Sequence, residues 1–394
     1  MIRKAPIIDS PVEADDIAYA LGRSGDASLF PELEAAMSCH AGGRHIYLTN
    51  SGKMALYAIL KTLAASSRRT EVVLPAYTAG SLVVAVRKAG LQPVLCDISL
   101  KDFNSDIDEM VKAVSERTLA VVCIHMFGIT MDGIVGLKER LPPDVAVIED
   151  CAQAMGSAIG GKVVGNFGDV AFFSFNRGKN LSVCGGGCIT TNDSKLSEAI
   201  TKMMKSFTGG KGSFNPATLF SAMVISFAVN PYIYGACYGL ISRFKETAPP
   251  LDFVTGGMDG FQAALGLTVL KRFGLMASKR HENGMLLMNG LKGLEGVMIP
   301  SVPGGDRPAF NRFPVVFKDR GAIELVAGRL WRAGIENSRM YLRPLHHMFD
   351  MGYAKGDFPN ACYVAERLLT LPTHPSIDRE RLLKVVDVIR GALK

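Results

Sequence analysis

Apolar residues in the first half of the chain fall into short unbroken runs. Between the runs lie longer stretches in which apolar residues recur every three or four positions. The runs "EVVLP", "PVLCDI", "LAVVCIH", "VAVIED", "VAFFSF" and "GGCITT" are too short for helices and rich in β-branched and aromatic residues, so they predict strands. "GSLVVAVRKAG" and "DIDEMVKAVSE" carry the helical spacing between them. From about residue 45 to 200 this alternation predicts an α/β domain with a mostly parallel sheet. After about residue 280 the pattern changes to one strand, "FPVVF", followed by the helices "AIELVAGRLWRAG" and "DRERLLKVVDVIRGAL". The expected division is therefore an N-terminal segment and large α/β domain over 1–280, and a smaller C-terminal α+β domain over 281–394. No internal repeat is visible.

The ends of the predicted strands carry the chemistry. In parallel α/β sheets, ligands sit beyond the carboxyl ends of the strands. "IEDCAQAMGS" places Asp150 at such an end, and Ser174 follows "VAFF" in the same way. Lys179 lies in the next turn, close to the glycine run Gly185–Gly187, where backbone can approach a ligand. "TNSGKMALYAIL" is a small-residue turn that opens a helix, and the unpaired amides of such a turn suit a phosphate. Taken singly, a loop lysine or an acid at a strand end is an ordinary solvated residue. Together, a carboxylate, a lysine and a phosphate cradle are what pyridoxal phosphate requires.

Ten segments carry a resemblance to a known family: "SGKMAL", "EVVLPAYT", "AGLQPVLCDI", "RTLAVVCIHMFG", "VIEDCAQAMGS", "GNFGDVAFFSFNRGKNL", "GGG", "QAALGL", "RPLHHMF" and "LPTHPSI". In this order they resemble the DegT/DnrJ/EryC1/StrS group of fold-type I, pyridoxal-phosphate-dependent sugar aminotransferases, from about residue 45 to the C-terminus. The resemblance implies that Lys179 forms the imine with the cofactor and later shuttles the proton. It implies that Asp150 pairs with the pyridine nitrogen and that Gln153 contacts the ring's 3-hydroxyl. Ser174, Ser51 and Gly52 would hold the phosphate. Lys53 stands where the family commonly has Thr and would pair with the phosphate as a point charge. His346 matches a substrate-side position, and Tyr77 is a second substrate candidate whose alternative is a structural role. His125 is expected to be a packed core histidine before a cofactor contact. Two further departures lie at the mouth of the site. Ala79 replaces the aromatic that stacks on the ring, and Thr255-Gly256-Gly257 replaces a motif whose Asn reaches the partner subunit's phosphate.

Composition narrows the reading. Charged residues are 21% and hydrophobic residues 48% of the 394, which excludes a disordered chain. The net charge of +7 is mild, and without a basic stripe interleaved with aromatics no nucleic-acid partner is expected. Eight cysteines are scattered through apolar runs, as reduced core residues are. Cys184 and Cys188 lack a second pair, so no metal is expected. The N-terminal "MIRKAPIIDSPVEADD" has acids where a signal peptide has its apolar stretch, so a cytoplasmic protein is expected.

One segment fits no pattern. Ser213–Ser242 contains no charged residue over 30 positions, with Lys202, Lys205 and Lys211 before it and Arg243 and Lys245 after it. Asn230-Pro231 divides it into halves too short to span a bilayer. An aromatic apolar hairpin with basic flanks suits peripheral or monotopic contact with the cytoplasmic membrane face; the alternative is a pair of core or dimer-interface helices.

The expected activity is therefore a homodimeric aminotransferase with pyridoxal 5'-phosphate. It would move an amino group from an amino acid, glutamate by family habit, to a nucleotide-linked or lipid-linked keto-sugar. Surface polysaccharide, glycolipid or secondary-metabolite biosynthesis would use such a product. A membrane-borne non-sugar ketone is the alternative acceptor. The related sugar dehydratases are disfavoured because they carry His in place of the lysine. A catalytically inactive scaffold with the same fold is the rival from another class.

Overall fold

The computed structural model describes residues 4–207, 214–228, 232–236 and 251–393. Its centre is a seven-stranded sheet of β1 (His45–Thr49), β2 (Glu71–Pro75), β3 (Gln92–Cys96), β4 (Thr118–Ile124), β5 (Ala146–Asp150), β8 (Val170–Ser174) and β9 (Gly187–Thr191). The order across the sheet is β1-β9-β8-β5-β4-β2-β3. Strands β3, β2, β4, β5 and β8 run parallel, whereas β9 is antiparallel to both β8 and β1. All seven residues of β4 and all five of β2 are buried, which is why these strands read as unbroken apolar runs. A small hairpin, β6 (Ala158–Ile159) and β7 (Lys162–Val163), lies between β5 and β8.

Helices cover both faces. Helix α1 (Ala14–Arg23) and α2 (Leu29–Ala41) precede the sheet, α3 (Gly52–Ala64), α4 (Ser81–Lys88) and α5 (Ile107–Lys112) connect its strands, and α6 (Ser194–Met204) follows β9. Helix α5 is shorter than the "DIDEMVKAVSE" pattern predicts. Asp106 caps its start, but Ser115 leaves the helix to bond Glu71 and Thr118 in the turn before β4.

After α7 (Pro216–Ala228), helix α8 (Gly260–Leu291) runs for 32 residues, about 48 Å at 1.5 Å per residue. Its first half packs on α1 and α2 and its second half on the C-terminal unit, so the expected boundary at 280/281 lies inside one continuous helix. A methyl group on Gly284 would sit 2.1 Å from the Phe310 ring, so this glycine lets the C-terminal unit approach. That unit has an antiparallel sheet of β10 (Val297–Met298), β11 (Phe313–Phe317) and β12 (Leu368–Leu371), with α9 (Arg320–Arg332), α10 (Pro359–Arg367) and α11 (Arg379–Ala392). The N-terminal segment also belongs to this side of the fold. Ala5 bridges Ile335, and the Ile7 amide donates to Glu336 Oε2 at 2.7 Å.

Asp97, buried just after β3, fastens the C-terminal unit to the large sheet. Phe358 precedes α10 and has no side chain able to cap it. Asp97 supplies the cap from a distant part of the chain: Oδ2 accepts from the Asn360 amide and Oδ1 from the Ala361 amide, both at 2.9 Å. Replacing Asp97 with Ala removes both acceptors, and a lost helix cap costs about 1–2 kcal/mol. Urea unfolding of D97A is expected to show that loss; an unchanged unfolding free energy would mean the cap contributes nothing.

Candidate active site

The topology gathers the candidate residues at one edge. Strands β1, β5 and β8 point the same way, so Thr49, Asp150 and Ser174 end side by side, and Gly187 begins the antiparallel β9 opposite Ser174. Beyond this edge lies a cavity of about 730 Å³. Its wall includes Ser51, Gly52, Lys53, Asp150, Gln153, Ser174, Lys179, Arg339, Tyr341 and Arg343.

Asp150, buried, and Lys179, half-buried, carry opposite charges into this cavity. Burial pushes the Lys179 amine down to about 8, Asp150 pulls it back up, and the charge of Arg312 lowers it further. Burial raises the Asp150 carboxyl, against the opposing pull of the Ala152 amide, Lys179 and His125. Asp150 Oδ1 accepts from the Ala152 amide at 2.9 Å. Gln153 is held by its carbonyl, which accepts from the Phe127 amide at 3.1 Å. That bond fixes which end of the amide is the donor: Nε2 faces the Tyr341 hydroxyl at 3.3 Å.

Glu149 is much more than a polar residue leaving a strand. Successive side chains of a strand point to opposite faces, so Glu149 enters the other side of the sheet, fully buried. Its carboxylate accepts from the Gly165, Phe167 and Gly168 amides at 2.6–2.8 Å and faces His125 Nε2 at 3.0 Å. His125 Nδ1 accepts from the Met131 amide at 3.1 Å, so the neutral ring carries its proton on Nε2 and donates it to Glu149. Burial alone would raise the Glu149 pKa; His125 and the amides outweigh it and hold it below the usual value. His125 is wholly buried and is a packed core residue, in contact with neither the cavity nor open solvent.

The cradle opposite Asp150 is the start of α3. Ser51 is its N-cap: Oγ accepts from the Met54 amide at 3.2 Å and also meets Asn50 Oδ1 at 3.1 Å. A methyl group on Gly52 would lie 2.9 Å from Ser174 Cβ, so only glycine lets the helix start come this close to β8. The first amides of a helix have no partner within it and attract anions. Lys53 lines the cavity beside them, its Nζ 5.7 Å from the centre of the Phe253 ring. One amine, one carboxylate, one fixed amide and a helix start with two serines fit pyridoxal phosphate.

The DegT/DnrJ/EryC1/StrS aminotransferase family matches residues 23–230 and 239–390. The chain belongs to that family. It is a pyridoxal-phosphate-dependent aminotransferase of fold type I. It is similar to the UDP-N-acetyl-3-dehydro-alpha-D-glucosamine 3-aminotransferase of Acidithiobacillus ferrooxidans, with 28% identity over 96% of this chain and 91% of that protein. It is similar also to the dTDP-3-amino-3,4,6-trideoxy-alpha-D-glucose transaminase of Streptomyces venezuelae, with 27% identity over 98% of this chain and 94% of that one. The crystal structure of S. venezuelae DesV shares the fold, with a TM-score of 0.79 and 24% identity over 100% of this chain and 99% of DesV.

The aminotransferase brings Lys179, Asp150, Gln153, Ser174, Ser51, Gly52 and Lys53 to one cavity. It does not bring Tyr77 or His346 there. Tyr77 is fully buried, donates its hydroxyl to the Met340 carbonyl at 2.5 Å, and meets Tyr341 edge to face at 5.7 Å. It supports the wall from behind. His346 turns away, packing on His347 and Phe358 with Nε2 3.8 Å from Cys362 Sγ. The substituted motif lies close to the cradle: the Gly256 and Val254 carbonyls accept from the backbone and side chain of Asn50 at 3.1 and 2.9 Å. Ala79 does line the cavity. Tyr341, which sequence reasoning missed, also lines it, with its backbone in the left-handed region at φ 52°. Burial first, then Asp150, raises its hydroxyl pKa. No periodicity marks it; only its place before "RPLHHMF" could have drawn notice.

A half-buried amine that loses its proton near pH 8 is nucleophilic where surface lysines are not. Borohydride reduction of the cofactor-loaded enzyme, followed by peptide mapping, is expected to place the cofactor on Lys179. Loading of the cofactor-free protein should accelerate with pH through about 8 and then level off, because the neutral amine is then the main form. Label on Lys53 would contradict the assignment.

Proposed function

We propose that this aminotransferase moves an amino group from glutamate to a keto-sugar carried on a diphosphate, and that it works as a homodimer. The observation that carries the acceptor class is the charge of the cavity wall. Lys53, Lys179, Arg339 and Arg343 line it against the single carboxylate of Asp150. With Lys53 beside the cofactor cradle, Arg343 remains on the C-terminal wall for a second anion; Arg339 beside it already faces Glu324 at 3.9 Å and donates to the Glu366 carbonyl at 2.7 Å. Nucleotide-linked and lipid-linked sugars both present a diphosphate, and guanidinium groups suit it. The relatives named above act on UDP- and dTDP-sugars, which supports the same class.

When bound, pyridoxal phosphate supplies an aldehyde that condenses with amines and a protonated pyridine ring that withdraws electrons from the adjacent carbon. The protein's part is to place protons. In this reading the Asp150 carboxylate holds a proton on the ring nitrogen, in surroundings where the pair is shielded from water. Lys179 Nζ, whose pKa burial lowers to about 8, would take the proton from the donor's α-carbon and hold it for return. Gln153 Nε2, oriented by the Phe127 amide, donates to the ring oxygen, and the start of α3 with Ser51, Gly52, Ser174 and Lys53 binds the phosphate.

Two apolar surfaces support finer readings. Leu342, which lines the cavity, and Val254, beside Asn50, are 58% and 80% exposed; a second copy covering the mouth would bury them. Helix α7 is inverted relative to an ordinary surface helix. It turns Thr218 and Ala222 inward, with Thr218 bonded to Asp259, and leaves Phe220 and Phe227 69% and 67% exposed. Phe214 and Tyr232 are exposed as well, but Tyr234 is buried, so it takes no part in that surface; Ser213, Tyr238 and the rest of the second half beyond 236 lie outside the described residues. No helix among the described residues is long and apolar enough to cross a membrane. The outer face of α7 supports contact with an anionic lipid surface, and so a lipid-linked acceptor.

Purified enzyme with glutamate should produce 2-oxoglutarate and the amino-sugar from a nucleotide-linked or polyprenyl-diphosphate-linked keto-sugar, and little from a non-sugar ketone. The enzyme should float with anionic vesicles, and F220D/F227D should abolish flotation while leaving turnover of a nucleotide-linked acceptor intact. Preference for the non-sugar ketone would overturn the acceptor class; a full-length enzyme that never floats would remove the lipid reading.

A further inference from the structure

Three side chains able to ligate a metal meet where the C-terminal wall of the cavity joins α10. The turn Leu345–His347 lies between Arg343 and Met348, both of which line the cavity. The Leu345 amide fastens this turn to the large sheet by donating to the Ala76 carbonyl at 2.8 Å. His346 and His347 face the start of α10, where Cys362 stands. Cys362 Sγ lies 3.8 Å from His346 Nε2 and 3.9 Å from His347 Nε2. One ligand atom from each of the three residues falls within 4.8 Å of the others.

The thiol has one proton to give, yet four atoms able to accept it lie around the sulfur. Besides the two ring nitrogens, Sγ faces the Lys355 and Asp357 carbonyls at 3.7 and 3.6 Å. His347 Nε2 is also 2.9 Å from the Lys355 carbonyl. His346 Nδ1 is buried without a partner, so this ring turns its polar contacts toward the sulfur. Separations of 3.8 and 3.9 Å are long for hydrogen bonds. They are close to the ~3.6 Å between sulfur and nitrogen in a tetrahedral zinc site, given Zn–S and Zn–N bonds of about 2.3 and 2.05 Å. The charges of Asp97 and Asp357 reach both His346 and Cys362, and such a field favours a cation at this point.

We propose that His346, His347 and Cys362 form a zinc site outside the cofactor cavity. A thiolate with two imidazoles suits zinc, whereas magnesium and calcium take oxygen ligands. The fourth position faces the Lys355 carbonyl and the turn 354–357, whose residues are exposed, so the ion and a water enter there. Each ligand must present a lone pair. The thiol therefore releases its proton, and the His347 ring exchanges its contact with the Lys355 carbonyl for the ion, carrying its own proton on Nδ1. The ion pins the turn that follows Arg343 to the same helix that Asp97 caps, and so holds this part of the cavity wall. No local spacing marks the site, because Cys362 is 16 and 15 residues from the two histidines.

The test uses the full-length, cofactor-loaded enzyme after dialysis against a chelator. Titration with zinc in competition with a chromophoric indicator should show a single tight ion per chain. C362S and H347Q should each weaken it about 100-fold or more, because losing only a hydrogen bond that supports a ligand costs about 10- to 100-fold. C39S, which removes an exposed thiol, should leave it unchanged. Cobalt in place of zinc should give the near-ultraviolet charge-transfer band of a thiolate ligand, absent in C362S. The melting temperature should rise with added zinc in the unaltered enzyme and stay constant in C362S. Zinc affinity unchanged in either C362S or H347Q would overturn the proposal, as would a cobalt complex without the thiolate band. If both variants fail to fold, alkylation of the unaltered enzyme decides. One equivalent of zinc should slow the reaction of iodoacetamide at Cys362, followed by peptide mapping, and a rate indifferent to zinc would overturn the site. None of these readouts depends on which ketone accepts the amine.

Discussion

A half-buried amine and a buried carboxylate face one cavity at the carboxyl edge of the sheet, and the rest of the site is arranged around that fact. Burial favours the neutral form of each: it lowers the Lys179 amine to about 8 and raises the Asp150 carboxyl. Their mutual attraction works against burial on both sides. The outcome is an amine that loses its proton near pH 8 beside a carboxyl whose hold on a proton is strengthened. A second cation, Arg312, tips the balance of Lys179 further toward the neutral amine.

The neighbouring acid shows what the same sheet does with a charge that must not move. Glu149 is one residue from Asp150 but on the opposite face, where three backbone amides and His125 hold it as a carboxylate. Those bonds tie the 165–168 loop to β5. They also fix the end of the strand from which Asp150 projects. Two adjacent acids thus serve unrelated purposes: Glu149 fixes the scaffold and Asp150 faces the cavity.

Much of this was legible in the chain. Buried parallel strands have no polar face, so their apolar runs stand out, and the residues that follow each run mark the cavity edge. Asp150 and Ser174 stand out that way, and Ser51 through the small-residue turn that opens α3. Residues whose placement depends on distant segments were not. Tyr341 reaches Gln153 across 188 residues of chain, and Asn311 reaches Gly178 across 133; no local spacing encodes such meetings. Tyr77 and His346 lie next to cavity residues in sequence, yet their side chains turn into the packing behind the wall. Strand β1 and the long α8 escaped because neither carries a clean period: α8 is buried along much of its length and passes between two packing environments. The direction in which α7 turns its aromatics was also hidden, because small residues on its inner face do the packing.

The account's central claim is that Asp150 keeps the cofactor's ring nitrogen protonated in surroundings closed to water. The most direct measurement is the ¹⁵N chemical shift of that nitrogen in enzyme loaded with labelled pyridoxal phosphate. The account predicts a protonated ring nitrogen from about pH 6 to 9 in the parent enzyme, since a buried carboxylate within reach favours the charged ring, and an unprotonated one in D150A over the same range. A ring nitrogen that is already unprotonated in the parent enzyme would contradict it.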